Sequence, residues 1–370
     1  MRSPEGIGTF LFMDKEKLMK KAVELAEKGT GRVSPNPLVG AVIYKKGRLI
    51  SQGYHHYFGG IHAEIDAIKK SKVSLKGSVM ILNLEPCVHH GKTPPCAPEI
   101  VRAGIKKVIV GMKDPNPLVS GKGIRYLRAH NVEVVLGVCR RECRSLNRGF
   151  VSAFERKRPW VMLKEGVSLD GKIATRTGNS KWITNKKARA FGHGLRYASD
   201  MVLVGGRTQR HDKPSLLPYL LNKKRHPLGR PAKCIITHTG RIAACSEPVD
   251  NSRPFFIATD SKNRINFPAA MREEPEILRF KNLKNLLQVI LKKNYYTVLI
   301  EGGGELAGSF FDEDLIDEIF FIFAPVVLGG KDAVSAVSGR GKDLVKQAVV
   351  FKRWEILRAD DNFIFHGLRV

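Results

Sequence analysis

Residues 85–96 read EPCVHHGKTPPC, directly after the apolar run SVMILNL at residues 78–84. A short apolar run bounded by turn residues predicts a buried strand. The segment is therefore expected to be a loop that leaves this strand and returns at a helix near Ala97. Two cysteines and two histidines in such a loop raise four alternatives: a disulfide, a metal site, a phosphate site, or no site. Residues elsewhere in the chain decide between them.

The tetrapeptide IHAE at residues 61–64 lies at the start of a predicted helix. One imidazole, from His62, and two thiolates, from Cys87 and Cys96, suit a tetrahedral Zn²⁺ whose fourth position is left for water. A histidine followed two positions later by a glutamate, then by Pro-Cys and a second Cys, matches the zinc deaminase signature. Zinc lowers the pKa of its bound water, and Glu64 would take that proton and pass it to the departing amine.

Each of these residues has a plainer interpretation when taken alone. An isolated His62 would be a capping or core histidine. The two cysteines could belong to a structural zinc knuckle, for which His89 and His90 are the only candidates as a fourth ligand. Glu64 and Pro86 together favour catalytic zinc over both interpretations, and they account for the thiols better than a disulfide does.

The composition is that of an ordinary soluble globular protein, and 370 residues are enough for two domains with separate cores. The N-terminus lacks the long apolar core of a secretory signal, and no stretch approaches the roughly 20 apolar residues of a membrane span. We therefore expect a cytoplasmic enzyme without membrane association. Six cysteines are too few for a secreted disulfide scaffold. Four of them are predicted to be ordinary thiols: Cys139, Cys143, Cys234 and Cys245.

The formal net charge of +28 permits nucleic acid binding or merely a solvated basic surface that attracts small anions. Up to Phe150 the chain has 26 basic and 12 acidic residues, and the remainder has 37 and 23, so each part carries +14. This even spread, without a basic tail or interleaved aromatic residues, favours small anionic substrates and no nucleic acid partner.

Strands alternating with helices predict an α/β fold around a largely parallel sheet. The predicted elements of the first part are a helix in KEKLMKKAVELAEKG, a hairpin of LVGAVIY and LISQGY, a helix from His62 to Lys70, the strand SVMILNL, a helix from Ala97, the strand KKVIVGM, a helix near Ile124–Ala129, the strand VEVVLG and one charged helix over RRECRSLNRGFVSAFERKR. The alternation restarts at PWVMLKEG. We therefore predict an N-terminal extension (1–13) and two domains (14–157 and 158–370).

The segment YTVLIEGGGELAG predicts a strand, a glycine-rich turn and a helix. Such a turn lets backbone N–H groups approach a dinucleotide phosphate, and the helix N-terminus adds positive potential. A simple tight turn is an equally good interpretation of the three glycines alone.

Several segments together resemble the bifunctional riboflavin biosynthesis deaminase/reductase family: PNPLVGAVI, HAE, LEPCVHHGKTPPC, DPNPLVSGKG, KEGVSLDGKIATRTGNSKWIT, LVGGRT, EGGGELAGSF and APVVLGG. The resemblance covers nearly the whole chain after the first dozen residues. General cytidine and transfer-RNA adenosine deaminases typically have two residues between their cysteines, whereas here there are eight, VHHGKTPP.

The resemblance implies a cytidine-deaminase-like α/β/α sandwich followed by a dihydrofolate-reductase-like α/β domain. The first would use Zn²⁺ to remove the 2-amino group of a diamino-hydroxy-pyrimidine that carries ribosylamine 5-phosphate. The second would use NADPH to reduce the ribosyl side chain to ribityl. The family also forms homo-oligomers.

Residue by residue, the resemblance implies His62, Cys87 and Cys96 as zinc ligands and Glu64 as proton shuttle. It implies substrate contacts in the deaminase for Asn36, His89, Lys92, Asp114 and Asn116. In the reductase it implies substrate contacts for Ser180, Arg196, Leu216 and Glu301. The implied NADPH contacts are Gly166, Trp182, Thr208, Asp212, His238, Gly303, Gly304, Glu305, Leu306, Ala307, Gly308 and Ser309. Arg196 could otherwise be an exposed basic residue, and Trp182 an ordinary core residue.

The reductase half departs from the family pattern ADNPSLTxR, which reads RHDKPSLLPY here. The customary Asn, Thr and Arg are replaced by Lys213, Leu217 and Tyr219, and the missing arginine could be compensated by Arg207, Arg210 or Arg225. The departure leaves open a deaminase whose reductase half is weakened or serves as a scaffold. A nucleic-acid-directed deaminase and a non-catalytic zinc module are the remaining alternatives.

Overall fold

The structure is a computed structural model that describes residues 14–89, 94–218, 231–242, 253–262, 265 and 275–369. The predicted N-terminal extension (1–13) lies outside the described residues, as do His90, Lys92, Tyr219, Arg225 and Cys245. The chain divides between Lys157 and Arg158 into two compact units, here called the N-terminal unit and the C-terminal unit.

The described residues of the N-terminal unit form one five-stranded sheet with helices on both faces. Its helices are α1 (Lys15–Glu27), α2 (Ala63–Lys70), α3 (Cys96–Arg102), α4 (Lys122–Ala129), α5 (Arg140–Leu146) and α6 (Arg148–Glu155). Its strands are β1 (Gly40–Lys45), β2 (Arg48–Tyr54), β3 (Val79–Leu84), β4 (Lys107–Met112) and β5 (Glu133–Leu136). The sheet order is β2-β1-β3-β4-β5, with β1 antiparallel to both neighbours and β3, β4 and β5 parallel.

Strand β3 is buried at every position because both faces of the sheet are covered. Met80 and Leu82 pack in one cluster with residues of α2, α3 and α4, whereas Val79 and Ile81 pack in a second cluster with residues of α1 and α5. An apolar run without alternating polar residues is what a parallel strand covered on both faces requires. The loop at residues 85–96 therefore starts from the rigid centre of this unit.

The charged segment predicted as one helix is two helices, so that prediction is wrong. The break lies at Asn147, whose φ of −102° and ψ of 25° depart from helical geometry. The Asn147 side chain is buried and bonds both backbone groups of Leu38, accepting from its N at 2.8 Å and donating to its O at 2.9 Å. Charge and apolar spacing run unchanged through this point, so the sequence pattern alone could not place the break.

The C-terminal unit contains a nine-stranded sheet in the order β11-β10-β9-β8-β12-β6-β13-β16-β15 and a small sheet of β7 and β14. Its helices are α7 (Lys186–Ala198), α8 (Gly206–Asp212), α9 (Leu283–Lys292) and α10 (Gly304–Asp312), with a 3₁₀ turn at Val345–Gln347. Its strands are β6 (Trp160–Val167), β7 (Lys172–Ala174), β8 (Met201–Gly205), β9 (Ala232–Ile236), β10 (Phe255–Thr259), β11 (Glu276–Arg279), β12 (Thr297–Glu301), β13 (Glu318–Phe323), β14 (Val334–Ser335), β15 (Arg353–Ala359) and β16 (Asn362–Leu368).

Strand β6 lies in the middle of the nine-stranded sheet, parallel to β12 on one side and β13 on the other. Val161 and Leu163 face a core with α9 and α10, and Trp160 and Met162 face a core that includes α7. Because β6, β8 and β12 are parallel, their carboxyl ends share one edge of the sheet, where α/β proteins usually bind ligands. Within the described ranges, every helix is too short or too polar to cross a membrane.

Candidate active sites

Three soft or borderline ligands of the N-terminal unit converge on one point. His62 Nδ1 lies 3.2 Å from Cys96 Sγ and 3.7 Å from Cys87 Sγ, and the three ligand atoms all lie within 4.8 Å of one another. Bond lengths of about 2.3 Å to sulfur and about 2.0 Å to nitrogen in a tetrahedron separate N and S by about 3.5 Å. The spacing therefore fits a tetrahedral zinc ion, and among the described residues this is the one such cluster of three or more.

The local backbone explains how these three side chains meet. His62 immediately precedes α2 and Cys96 is the first residue of α3, whereas Cys87 follows the buried strand β3. His62 occupies the N-cap position of α2, but its side chain makes no capping hydrogen bond there. The capping interpretation of His62 is therefore wrong, and its ring is available to the cysteines.

The electrostatics of the cluster favour a thiolate. A hydrogen bond from Cys96, together with His62, lowers the pKa of Cys87 to about 4, while the same contact and burial raise the pKa of Cys96. The Cys96 backbone N–H also points to Cys87 Sγ at 3.4 Å. A thiolate is the form that binds zinc, so the donor set fits the metal chemically as well as geometrically.

Glu64 is 4 % exposed and lies on the first turn of α2, beside this cluster. Burial raises the pKa of its carboxyl, against the opposing charge of His62. A buried carboxyl with a raised pKa next to a metal site can both accept a proton and return it.

Asn36 is held by a second histidine that the sequence analysis missed. The Nδ1 of His55 donates to the carbonyl of Ile61 at 2.9 Å, because a carbonyl can only accept, so its Nε2 accepts from Asn36 Nδ2 at 3.1 Å. The ring of His55 also meets the ring of His62 edge-on, with centroids 5.5 Å apart. His55 is buried, and its position seven residues before His62 gave no recognisable motif.

The remaining residues expected near the deaminase substrate are placed differently from one another. His89 is exposed and is not part of the three-residue cluster, and Lys92 lies outside the described residues. Asp114 is 6 % exposed, and burial raises its pKa to about 7, with the charge of Glu85 adding to the shift. Asp114 Oδ1 accepts from the Asn116 N–H at 2.7 Å, so these two residues form one compact turn.

The C-terminal unit has a cleft of about 1560 Å³ at the carboxyl edge of its sheet. Most residues expected to bind NADPH or the reductase substrate line this cleft: Gly166, Ser180, Trp182, Arg196, Thr208, Asp212, His238, Gly303, Gly304, Glu305, Leu306 and Ser309. Ala307 and Gly308 are buried on α10. A cleft of this size is ample for a dinucleotide and a sugar phosphate together.

The glycine-rich turn joins β12 to α10. Gly302 and Gly303 have φ values of +65° and +91°, which disfavour any residue with a side chain, and a Cβ on Gly303 would lie 2.9 Å from Thr208 Oγ1. Helix α10 begins at Gly304, so its N-terminal N–H groups face the cleft. The turn is tight and also presents backbone donors, as a dinucleotide phosphate requires.

Glu301 lies at the centre of a buried charge cluster. Arg196 binds it in bidentate fashion, with Nε and Nη2 at 2.7 Å from the two carboxylate oxygens, and Lys164 Nζ lies 3.3 Å from Oε2. Burial alone would raise the pKa of Glu301, but Lys164 and Arg196 lower it to about 2. Arg196 is therefore not the exposed basic residue that one alternative allowed.

Lys164 is a functional candidate that the sequence analysis missed. It is the direct neighbour of Glu301 in the parallel pairing of β6 with β12. Lys164 lies in the middle of β6, and only the register of β6 against β12 places it opposite Glu301, so no local signal in the sequence could have found the pair.

Trp182 is 71 % exposed and lies in the cleft, with the Arg189 guanidinium 4.4 Å from its ring centroid. The core interpretation of Trp182 is therefore wrong. Ser180 Oγ lies 3.4 Å from Asp212 Oδ1, and His238 pairs with Asp260 at 2.7 Å.

The stretch that departs from the family pattern has two notable positions. Leu216 is 4 % exposed with its side chain in the core, so only its backbone can face a ligand. Lys213, the residue that follows α8, has a φ of +42°, a conformation that asparagine adopts more readily, which explains the customary residue there. Arg207 and Arg210 both line the cleft.

Two family descriptions match the chain. Residues 13–112 match the cytidine and deoxycytidylate deaminase zinc-binding region, and residues 159–359 match the RibD C-terminal domain. The riboflavin biosynthesis protein RibD of Bacillus amyloliquefaciens is 37 % identical over 339 residues, covering 90 % of each chain. The RibD of Escherichia coli is 32 % identical over 364 residues, covering 96 % of this chain and 99 % of that protein. The chain belongs to the RibD family.

Solved RibD structures have the same architecture. The deaminase/reductase of Thermotoga maritima is 35 % identical with a TM-score of 0.84, and Acinetobacter baumannii RibD is 33 % identical with a TM-score of 0.87. Each comparison covers 96 % of this chain and 98 % of the other. The predicted fold, a cytidine-deaminase-like unit followed by a dihydrofolate-reductase-like unit, is confirmed.

As a RibD protein, the chain is a bifunctional enzyme of riboflavin biosynthesis, with a zinc-dependent deaminase unit and an NADPH-dependent reductase unit. This excludes the non-catalytic zinc module. The roles of individual residues follow from the geometry described above.

Proposed function

We propose that the N-terminal unit hydrolyses the 2-amino group of diaminohydroxyphosphoribosylaminopyrimidine, and that the C-terminal unit reduces the ribosyl group of the product, 5-amino-6-(5-phosphoribosylamino)uracil. The Thermotoga maritima relative carries these two activities in its name. The observation that carries the proposal is the His62, Cys87 and Cys96 cluster with the buried Glu64 beside it.

In the deaminase site, His62, Cys87 and Cys96 would hold zinc, which supplies Lewis acidity toward the attacking water. Glu64 would take a proton from that water and deliver it to the amine that leaves as ammonia. Asn36, oriented by His55, would hydrogen-bond the pyrimidine ring. His89, Lys92, Asp114 and Asn116 would contact the ribose phosphate side of the substrate.

In the reductase site, NADPH would supply the hydride. The segment Gly303–Ser309, which comprises the end of the glycine-rich turn and the first residues of α10, would hold the cofactor together with the side chains of Thr208 and Trp182. Gly166, Asp212 and His238 would make further contacts with the cofactor. The charge cluster of Lys164, Arg196 and Glu301 would orient the sugar, because a fixed pair of cations around one carboxylate offers donors and acceptors to neighbouring hydroxyl groups. Ser180 and Leu216 would complete the substrate contacts.

An assay with the diaminopyrimidine ribotide tests both halves. Zinc-loaded protein is expected to release ammonia first and then to oxidise NADPH in proportion to the deaminated product. Absence of ammonia release would contradict the deaminase assignment. Ammonia release without NADPH oxidation would instead support a deaminase with a scaffold reductase, and salt-sensitive binding of RNA would support the nucleic-acid alternative.

We also propose a cytoplasmic homo-oligomer. The described cysteines form no disulfide with one another, as in a reducing compartment. Strand β15 lies at the edge of the nine-stranded sheet and exposes Trp354 and Ile356, which a second copy could cover. Light scattering coupled to size exclusion would show a mass of at least two chains, and a monomer at micromolar concentration would contradict the proposal.

A further inference from the structure

The buried carboxylate of Glu85 accepts hydrogen bonds from three backbone N–H groups of the segment 114–124. Its Oε2 accepts from Asp114 at 3.1 Å and from Gly121 at 2.9 Å, and its Oε1 accepts from Ile124 at 3.1 Å. Glu85 is 3 % exposed. None of the expected zinc or substrate contacts includes it.

One of these hydrogen bonds caps the N-terminus of α4, whose own N-cap residue cannot provide a side-chain acceptor. The N-cap residue of α4 is Gly121, which has no side chain, and the Ile124 N–H belongs to the first turn of that helix. An acceptor at this position normally comes from the N-cap side chain itself. Here it comes from the residue that follows strand β3.

The start of α4 also packs directly on the backbone next to Glu85. A Cβ on Gly123 would lie 2.0 Å from the carbonyl oxygen of Pro86, so any larger residue would push the helix away. Pro86 leads at once to Cys87. The carboxylate and the glycine contact thus join the segment 114–124 to the strand end that carries a zinc ligand.

The segment that Glu85 holds carries two side chains of the proposed substrate site. Asp114 Oδ1 accepts from the Asn116 N–H at 2.7 Å, and Asn116 Oδ1 accepts from the Leu118 N–H at 3.0 Å. Both side chains are therefore fixed to the local backbone, and their positions follow the position of that backbone. The backbone in turn is bonded to Glu85 at both ends of the turn, at Asp114 and at Gly121.

We propose that Glu85 is a positioning residue of the deaminase, which sets the distance of Asp114 and Asn116 from the zinc ligands by clamping their loop and the start of α4. The inference rests on the proposed function, since it takes these two residues to contact the substrate. Only a carboxylate offers acceptors on both oxygens. Glutamine would present an NH₂ group to at least one of the three N–H donors, and the aspartate side chain is one methylene too short to reach them all.

The test compares Glu85→Gln with Glu85→Ala in steady-state deamination. We expect the KM of the ribotide to rise by about 3- to 10-fold in the glutamine variant and by more than about 10-fold in the alanine variant, with kcat within about 3-fold and zinc content unchanged. A purely structural role would lower the yield of active enzyme or its thermal stability and leave KM unaltered. If the alanine variant does not fold, the glutamine variant decides.

Two further variants distinguish a positioning role of Glu85 from a purely structural one. Gly123→Ala would place a Cβ 2.0 Å from the Pro86 carbonyl oxygen and 3.2 Å from Glu85 Cγ, so it displaces α4 while keeping the carboxylate itself, and it should reproduce the KM increase. Glu85→Gln should raise KM less in an Asn116→Ala background than in the native chain, because both changes then act on the same contact. Glu99→Gln, which affects only an exposed ion pair on α3 with Arg102, is the matched control.

A native KM in Glu85→Gln, or full additivity with Asn116→Ala, would overturn the inference. Failure of the native, zinc-loaded chain to release ammonia would instead contradict the proposed function, so the two failures are distinguishable.

Discussion

The two sites of this chain are built on different principles. The deaminase cluster draws its three ligand atoms from residues 62–96 and brings them within 4.8 Å of one another. The reductase cleft has a volume of about 1560 Å³. Its charge cluster consists of Lys164, Arg196 and Glu301, which lie on β6, α7 and β12. A metal site depends on the identity of a few side chains. The reductase site depends largely on the shape of the backbone and on buried ion pairs between residues that are far apart in the sequence.

The largest effect is expected at Glu64, where the first site concentrates its chemistry. Glu64→Gln removes the group that moves the proton, so deamination should fall by about three orders of magnitude. Zinc content should stay native, and reduction of supplied 5-amino-6-(5-phosphoribosylamino)uracil should continue at the native rate. Ammonia release, metal analysis and NADPH oxidation check the three statements. A variant that deaminates at more than about a tenth of the native rate would refute the assigned role.

The next largest effect is expected where the second site depends on an ion pair. Glu301→Gln leaves the charges of Lys164 and Arg196 uncompensated, so the free energy of unfolding should fall by roughly 3 kcal/mol. Reductase activity should fall by about two orders of magnitude, with deamination unchanged.

The three tryptophans of the chain, Trp160, Trp182 and Trp354, all lie in the C-terminal unit, so urea denaturation followed by fluorescence reports on that unit. Glu276→Gln, which removes an exposed carboxylate paired with Lys293, is the control. Equal stability of the two variants would show that the buried pair is not structural.

A smaller effect is expected at the glycine turn. Gly303→Ala places a side chain at a φ of +91° and close to Thr208, which costs about 1–2 kcal/mol. The KM for NADPH should rise by about 10-fold while the KM for the deaminated substrate changes little. Titration of NADPH fluorescence gives the same comparison without turnover. An increase confined to the substrate KM would assign this turn to the substrate instead.

The last prediction concerns pH and involves Glu165, a buried residue of β6 whose Oε1 has no hydrogen-bond partner among the described residues. Burial, with the charge of Glu301, raises the pKa of Glu165 from 4.5 to about 8. The folded C-terminal unit thus keeps a proton that the unfolded chain releases, so its free energy of unfolding should decline as pH rises from about 4.5 to about 8.

Glu165→Gln removes this titration. Its stability relative to the native chain should be greater at pH 9 than at pH 5, by on the order of 2 kcal/mol. Tryptophan fluorescence in urea at both pH values measures the difference, with Glu276→Gln again as the control. Parallel pH profiles for the native chain and Glu165→Gln would mean that this carboxyl is not titrating in the window.

The first site could be predicted from the sequence because a histidine and two cysteines placed at the ends of strands and helices most readily serve as metal ligands. The structure brings His62, Cys87 and Cys96 together, as the sequence predicts. The helices and strands of the N-terminal unit also follow their apolar patterns, with one exception. The break at Asn147 depends on its hydrogen bonds to Leu38, a contact across more than a hundred residues that no local pattern encodes.

The second site was harder to predict because it too depends on contacts between residues that are far apart in the sequence. Arg196 and Glu301 were each expected to contact substrate, yet in the structure each is the principal partner of the other. Lys164 gave no motif, because its relation to Glu301 arises only when β6 and β12 align. Strand register decides which charges meet, and register is a property of the whole sheet.

The central position of β6 has a consequence for the order in which the protein can be made. The sheet of the N-terminal unit is complete once β5 has been synthesised, so this unit can fold while the ribosome is still translating. In contrast, β6 is the first strand of its unit, but its two neighbours, β12 and β13, begin at Thr297 and Glu318. The nascent reductase must therefore keep an apolar strand without its partners until most of the chain has emerged, which makes this interval the one in which a chaperone would matter most.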